Sequence, residues 1–140
     1  MPFTATHTVR FQHVDPAGIV FYPRYYEMLN ATIEDWFDTR LPFTFAAIHG
    51  PMAMGVPTVA HATRFLKPSR LGDRLAFTLT PTRLGRSSLT LAVEATCGPE
   101  PRVSFTTTLV WYAAADGRPR PWPPELRAGI EAEMREGDPR

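Results

Sequence analysis

The sequence predicts an α+β fold in which one long helix packs on a single curved antiparallel sheet of about five strands. Two patterns predict it. Aromatic and aliphatic residues recur every three or four positions just after residue 22, the period of an amphipathic helix. Further on, three threonine-rich runs alternate apolar with polar, the period of half-buried strands. The length of 140 residues suits one domain, with about 114–140 as a proline-rich and helical tail.

In order, Thr6 to Val14 reads as a strand, with Val9 and Phe11 alternating against Thr8, Arg10 and Gln12. Asp15-Pro16-Ala17-Gly18 is turn chemistry, because proline fixes φ and glycine permits φ > 0. Pro23 suits the first helical position, where its missing N–H costs nothing. From there Tyr25, Tyr26, Leu29, Ile33, Trp36 and Phe37 share one face of a helix to about Asp38. A short irregular or helical piece through Phe45 to His49 ends at Gly50-Pro51.

The rest is mostly β. Val59 to Leu66 forms a strand, closed by a turn through Lys67–Asp73. Alternations follow around Leu75, Phe77 and Leu79, around Leu89, Leu91 and Val93, and around Val103, Phe105 and Leu109. Their apolar face needs a cover, and the long helix is the candidate. Arg118 to Pro124 is too rich in proline for a central strand, and Glu125 to Glu136 reads as a polar, solvated helix. A helix wrapped by such a sheet is the hotdog arrangement. Its long unpaired edge predicts a homodimer, or a dimer-of-dimers tetramer.

Composition excludes several classes. With 44% hydrophobic and 21% charged residues, the chain is an ordinary globular one and not a disordered one. A net charge of +1 offers no basic stripe for nucleic acid. The N-terminus lacks the pattern of a signal peptide, and no apolar run approaches the ~20 residues that span a bilayer. The single cysteine, Cys97, has no partner for an internal disulfide, which fits a reduced cytoplasmic setting. No metal-ligand spacing and no phosphate-binding glycine loop occurs, so neither metal nor cofactor is expected.

The chemistry concentrates between His13 and Tyr26. A carboxylate, Asp15, ends the strand, a tight turn follows, and a helix begins. A helix N-terminus exposes unpaired N–H groups and carries about half a positive charge, so it polarises a carbonyl docked there. The candidate donors are the backbone N–H groups of Tyr22 and its neighbours, since Pro23 cannot donate. Asp15 can attack a carbonyl or activate water beside it. As a plain alternative, an aspartate before Pro-x-Gly is a turn-former or helix cap.

The run Asp15-Pro16-Ala17-Gly18-Ile19-Val20-Phe21-Tyr22-Pro23-Arg24-Tyr25 resembles the signature of the 4-hydroxybenzoyl-CoA thioesterase family. Gly55-Val56-Pro57-Thr58-Val59 and Pro68-x-x-x-Gly72-Asp73 are similar to that family's later motifs, so the likeness spans roughly Val9 to Tyr112. The resemblance implies a metal-free acyl-CoA thioesterase for an aromatic or short-to-medium aliphatic acyl group. In that role Asp15 is nucleophile or general base, and the Tyr22 N–H polarises the carbonyl.

Two positions depart from the family. His13 stands where an aspartate is usual, and it orients Asp15, contacts substrate or is an ordinary strand-end histidine. Asn30 stands where an acid contacts the hydroxyl of a 4-hydroxybenzoyl ring. Gly18 and Tyr25 join these two as expected substrate contacts. The turn carrying Arg86, Ser87 and Ser88 is the expected CoA-phosphate site, with Arg64 and Lys67 as weaker candidates. An acyl-carrier-protein thioesterase, an enoyl-CoA hydratase and a non-catalytic acyl-thioester binder are the alternatives.

Overall fold

The computed structural model describes residues 2–137; Met1 and residues 138–140, the ends of the expected domain, lie outside it. Its main sheet has five antiparallel strands in the order β1-β4-β5-β6-β3. These are β1 (Phe3–Thr8), β3 (Thr58–Phe65), β4 (Arg74–Leu84), β5 (Ser88–Cys97) and β6 (Glu100–Val110). The helix α1 (Pro23–Arg40) covers the apolar face, and α2 (Phe45–His49) follows it. A two-stranded ribbon pairs β2 (Met54–Gly55) with β7 (Tyr112–Ala113), and α3 (Pro124–Gly137) closes the chain.

The alternation read from the sequence sets the register. Phe3, Leu79, Val93 and Phe105 stand opposite one another across four strands, and Ala5, Phe77, Ala95 and Val103 form the next row. Against this wall α1 buries Tyr25, Met28, Leu29, Thr32, Ile33, Trp36 and Phe37. Thr32 is the one polar member. Its hydroxyl donates to the Met28 carbonyl at 2.8 Å and takes a hydrogen bond from His7 Nε2 at 2.9 Å, tying β1 to the helix.

Two expectations are corrected. The first strand does not run from Thr6 to Val14: it starts at Phe3 and stops at Thr8, and Phe11–His13 form a 3-10 turn. The chain leaves the sheet because Val9 gives its N–H to the Asp73 carbonyl, while the His13 imidazole accepts the Arg10 N–H at 2.8 Å. Phe11, expected on the buried side, is 83% exposed. The second correction concerns α3, which is not simply polar and solvated. Leu126 and Ile130, one helical turn apart, are completely buried, and α3 packs on β4. Glu133 of α3 accepts from Trp36 Nε1 at 2.8 Å and pairs with Arg40 at 3.2 Å, which fastens the far end of α1.

Candidate active site

The segment from Val14 to Val20 is a miniature hairpin. Val14 and Val20 bridge, the Asp15 N–H bonds the Ile19 carbonyl at 3.0 Å, and the Gly18 N–H bonds the Asp15 carbonyl at 2.8 Å. Gly18 has φ +81°, the left-handed region where a side chain is strained, so the turn needs glycine there. Inside it, Asp15 Oδ1 accepts the Ala17 N–H at 2.9 Å. That bond orients the carboxylate, and Oδ2 carries no hydrogen bond among the described residues.

Two anchors hold the hairpin. On one side Phe21 donates its N–H to the His13 carbonyl at 2.9 Å. On the other, Val20 donates to the Ser69 carbonyl at 2.9 Å, and Ile19 bridges Arg70. The chain then enters α1 at Tyr22, with Pro23 in the first turn and no side-chain cap. Around this joint the Phe21, Arg24 and Tyr25 N–H groups go to the carbonyls of His13, Phe21 and Tyr22 respectively. The Tyr22 N–H reaches no acceptor among the described residues. Of the donors expected at this helix entrance, Tyr22 alone is left open, at the positive end of the helix dipole.

His13 stands directly behind this joint. Burial, and then the nearby Arg24 guanidinium, lower its pKa below 6.5. With Nδ1 accepting from Arg10, the neutral ring keeps its hydrogen on Nε2. Nδ1 is therefore engaged by backbone, and Nε2 is the nitrogen left to donate.

Asp15 forms part of two adjoining hollows. One of about 550 Å³ is shared with Phe11, Val14, Pro16, Gly18 and Leu71, and one of about 330 Å³ with Gln12, Phe21 and Arg24. Beside them a cavity of about 260 Å³ is lined by Ile19, Val20, Tyr22, Tyr25, Phe65 and Lys67 among others. The Phe65 ring lies 6.1 Å from that of Tyr22 and 6.0 Å from that of Tyr25, so this wall is aromatic. Asn30, about 12 Å farther along α1 at 1.5 Å per residue, lines a separate cavity of about 190 Å³ with Glu34, Phe45 and Thr58.

The structure thus gathers His13, Asp15, Gly18, Tyr22 and Tyr25 at one end of the molecule. Arg86, Ser87 and Ser88 lie elsewhere. They follow the far end of β4, whose 11 residues span roughly 35 Å, so within one chain they do not approach Asp15. That turn is covered by the tail: Trp122 donates to the Arg86 and Ser88 carbonyls, and Arg127 to the Gly85 carbonyl. Lys67 lines the aromatic cavity and pairs with Glu100 at 3.2 Å. His61, on exposed β3, bonds Thr107 at 3.0 Å and is not near Asp15 in the hydrogen-bond pattern. No group of three or more His, Cys, Asp or Glu side chains among the described residues is arranged to hold a metal ion.

A family model described as the Thioesterase-like superfamily matches residues 9–130. The chain belongs to that superfamily. It is a thioester hydrolase, the enzyme class that the sequence implied. Over 138 residues the chain is 25% identical to a 1,4-dihydroxy-2-naphthoyl-CoA hydrolase of Nostoc punctiforme, covering 99% of this chain and 93% of that one. A crystal structure of a 1,4-dihydroxy-2-naphthoyl-CoA thioesterase from Synechocystis is similar, with TM-score 0.84 and 22% identity over 93% of this chain and 96% of that one. A Staphylococcus aureus protein solved in complex with CoA gives TM-score 0.89 and 17% identity over 100% of this chain and 87% of that one. At such identities these structures bear on the fold, and the hotdog fold expected from the sequence is the one observed. Among the described residues no helix is long and apolar enough to cross a membrane.

Proposed function

We propose that this protein hydrolyses the CoA thioester of a hydroxylated aromatic acid, with Asp15 as the catalytic carboxylate and the Tyr22 N–H polarising the thioester carbonyl. The observation that carries the reading is the open Tyr22 N–H, seven residues from a carboxylate whose outer oxygen is unengaged. A donor left unpaired at a helix entrance stabilises the negative charge that develops on a carbonyl oxygen under attack; such donors contribute roughly a hundredfold or more to rate. Asp15 then acts in one of two ways. As nucleophile its oxygen bonds to the carbonyl carbon, the CoA thiolate leaves, and water cleaves the mixed anhydride. As general base it takes a proton from the water that attacks. Both routes end in free acid and thiol.

The aromatic part of the reading rests on the Tyr22–Tyr25–Phe65 wall and on the naphthoyl-CoA hydrolase likeness over nearly the whole chain. The acyl group of 4-hydroxybenzoate and its bicyclic dihydroxy counterpart are therefore the first two to test.

The unpaired edge of β3 supports a homodimer. Its neighbour is β6 on one side only, and Val59 and Phe65 are more than half exposed. A second copy is also what would bring an Arg86–Ser88 turn to the CoA phosphates of a site on another chain. Thiol release from a panel of aromatic and aliphatic acyl-CoAs, by wild type and Asp15→Asn, tests the reading. Turnover of the hydroxylated aromatic thioesters by wild type only is expected; equal rates in both proteins would remove Asp15 from the chemistry.

A further inference from the structure

From the other side of the sheet, we infer that Arg102 is a positioning residue that sets the Asp15 hairpin and the Tyr22 donor through the Pro68–Asp73 turn. The inference rests on the catalytic roles proposed for Asp15 and Tyr22. Arg102, on β6, is almost covered, with its side chain 12% exposed. One terminal nitrogen donates to the Pro68 carbonyl at 3.2 Å, to the Ser69 hydroxyl at 3.1 Å and to Asp73 Oδ2 at 2.8 Å. Its Nε is held by Glu100 at 2.7 Å, which fixes the plane of the guanidinium. The Arg102 carbonyl accepts the Leu66 and Lys67 N–H groups, so backbone and side chain grip the same turn.

That turn is what the hairpin rests on. Ser69 is completely buried, and its carbonyl accepts the Val20 N–H. Arg70 bridges Ile19, and the Arg70 N–H is itself bonded to Asp73 Oδ2 at 2.9 Å. Ile19 and Val20 are the residues that bond Asp15 and bridge Val14, and Val20 is two residues before Tyr22. A guanidinium held at Nε by Glu100, with the two hydrogens of its Nη1 shared among three acceptors of one turn, therefore fixes the relative placement of carboxylate and donor. Lysine, with one nitrogen on a flexible stem, reproduces only part of this, because it cannot hold Glu100 and the turn in one plane.

The test compares Arg102→Met, Arg102→Lys and Ser69→Ala with wild type on the best acyl-CoA substrate, each also carrying Asp15→Asn. Displacing reacting groups by about an ångström costs up to a hundredfold. The expected result is therefore a kcat about tenfold to a hundredfold lower for Arg102→Met at nearly unchanged KM, with Arg102→Lys recovering part and Ser69→Ala losing least. In the Asp15→Asn background each substitution costs less than in wild type, because groups acting as one unit are not additive. Should Arg102→Met not fold, the other two variants decide. Wild-type kcat in folded Arg102→Lys and Ser69→Ala, or losses fully additive with Asp15→Asn, overturns the positioning role. Full activity of Asp15→Asn beside an impaired Arg102→Met would instead overturn the Asp15 assignment and leave the clamp standing.

Discussion

The two ends of the sheet are finished in opposite ways. At the end where β4 begins, the Tyr22 N–H is open, one Asp15 oxygen is unengaged, and Phe11, Tyr22, Phe65 and Leu71 are all more than half exposed. At the end where β4 stops, the backbone carbonyls of the turn are matched. Gly85, Arg86, Ser87 and Ser88 give their carbonyls to Arg127, Trp122, Trp111 and Trp122 again, and the Trp122 ring lies 5.5 Å from that of Trp111. A folded chain rarely leaves a donor and an apolar surface bare together, because each costs free energy unless something binds there. The backbone of the closed end is finished within the chain, and the open end leaves a donor and an apolar surface for the proposed substrate.

The sharpest way to break the contrast is at the closed end. Trp122→Ala empties a buried indole site and removes one of the two donors on the Ser88 carbonyl, leaving the Gly85 N–H, so a loss of roughly 3–5 kcal/mol is expected. Denaturant unfolding measures it, and kcat of the folded fraction should stay near wild type. At the open end the opposite holds. Asp15→Asn keeps an oxygen for the Ala17 N–H, so stability should hold within about 0.5 kcal/mol while kcat falls about a hundredfold or more, equivalent to roughly 2.7 kcal/mol of barrier. A third change probes the fastening between α1 and α3. Glu133→Ala strips Trp36 Nε1 of its acceptor and should cost about 1–3 kcal/mol, seen as a lower Tm with unchanged KM.

The smallest effect is expected from His7. Burial lowers its pKa below 6.5, against the opposing pull of Asp35 and a minor push from His13. The unfolded chain then takes up a proton first, so stability falls as pH drops from 6.5 towards the lower folded value and levels off below it. In His7→Gln that part of the slope should vanish, which unfolding curves between pH 7 and 5 would detect. An unchanged slope would assign the pH dependence to the other histidines.

How much of this was legible depended on how local its cause is. The rows Leu75–Phe77–Leu79 and Leu89–Leu91–Val93 declare a strand face by alternation, and Tyr25–Leu29–Ile33–Trp36 declare a helix face by period. Asp15 and Tyr22 stand together in one motif, and the structure keeps them together. By contrast, β1 ends early because of bonds to His13 and Asp73, and alternation carries no trace of the second. The buried face of α3 was written in Leu126 and Ile130, with Met134 a further turn on, yet the surrounding Glu125, Arg127, Glu131 and Arg135 concealed it. The ribbon of β2 and β7 is two residues long on each side, too short for any period to register. Arg102 lies 33 positions from Ser69, so only the fold could join them.

The helix entrance has one more consequence. The polarising group at Tyr22 belongs to the main chain, so exchanging its phenol for any other side chain leaves the donor in place. An alanine scan would report the loss of the ring from the aromatic wall and nothing of the donor. Of the twenty residues only proline abolishes it, and Tyr22→Pro would place two prolines in succession at the entrance of α1. The element on which the proposed chemistry leans hardest is therefore nearly invisible to ordinary mutagenesis. Backbone ester substitution at residue 22, which replaces one N–H by an oxygen, is the perturbation that would expose it.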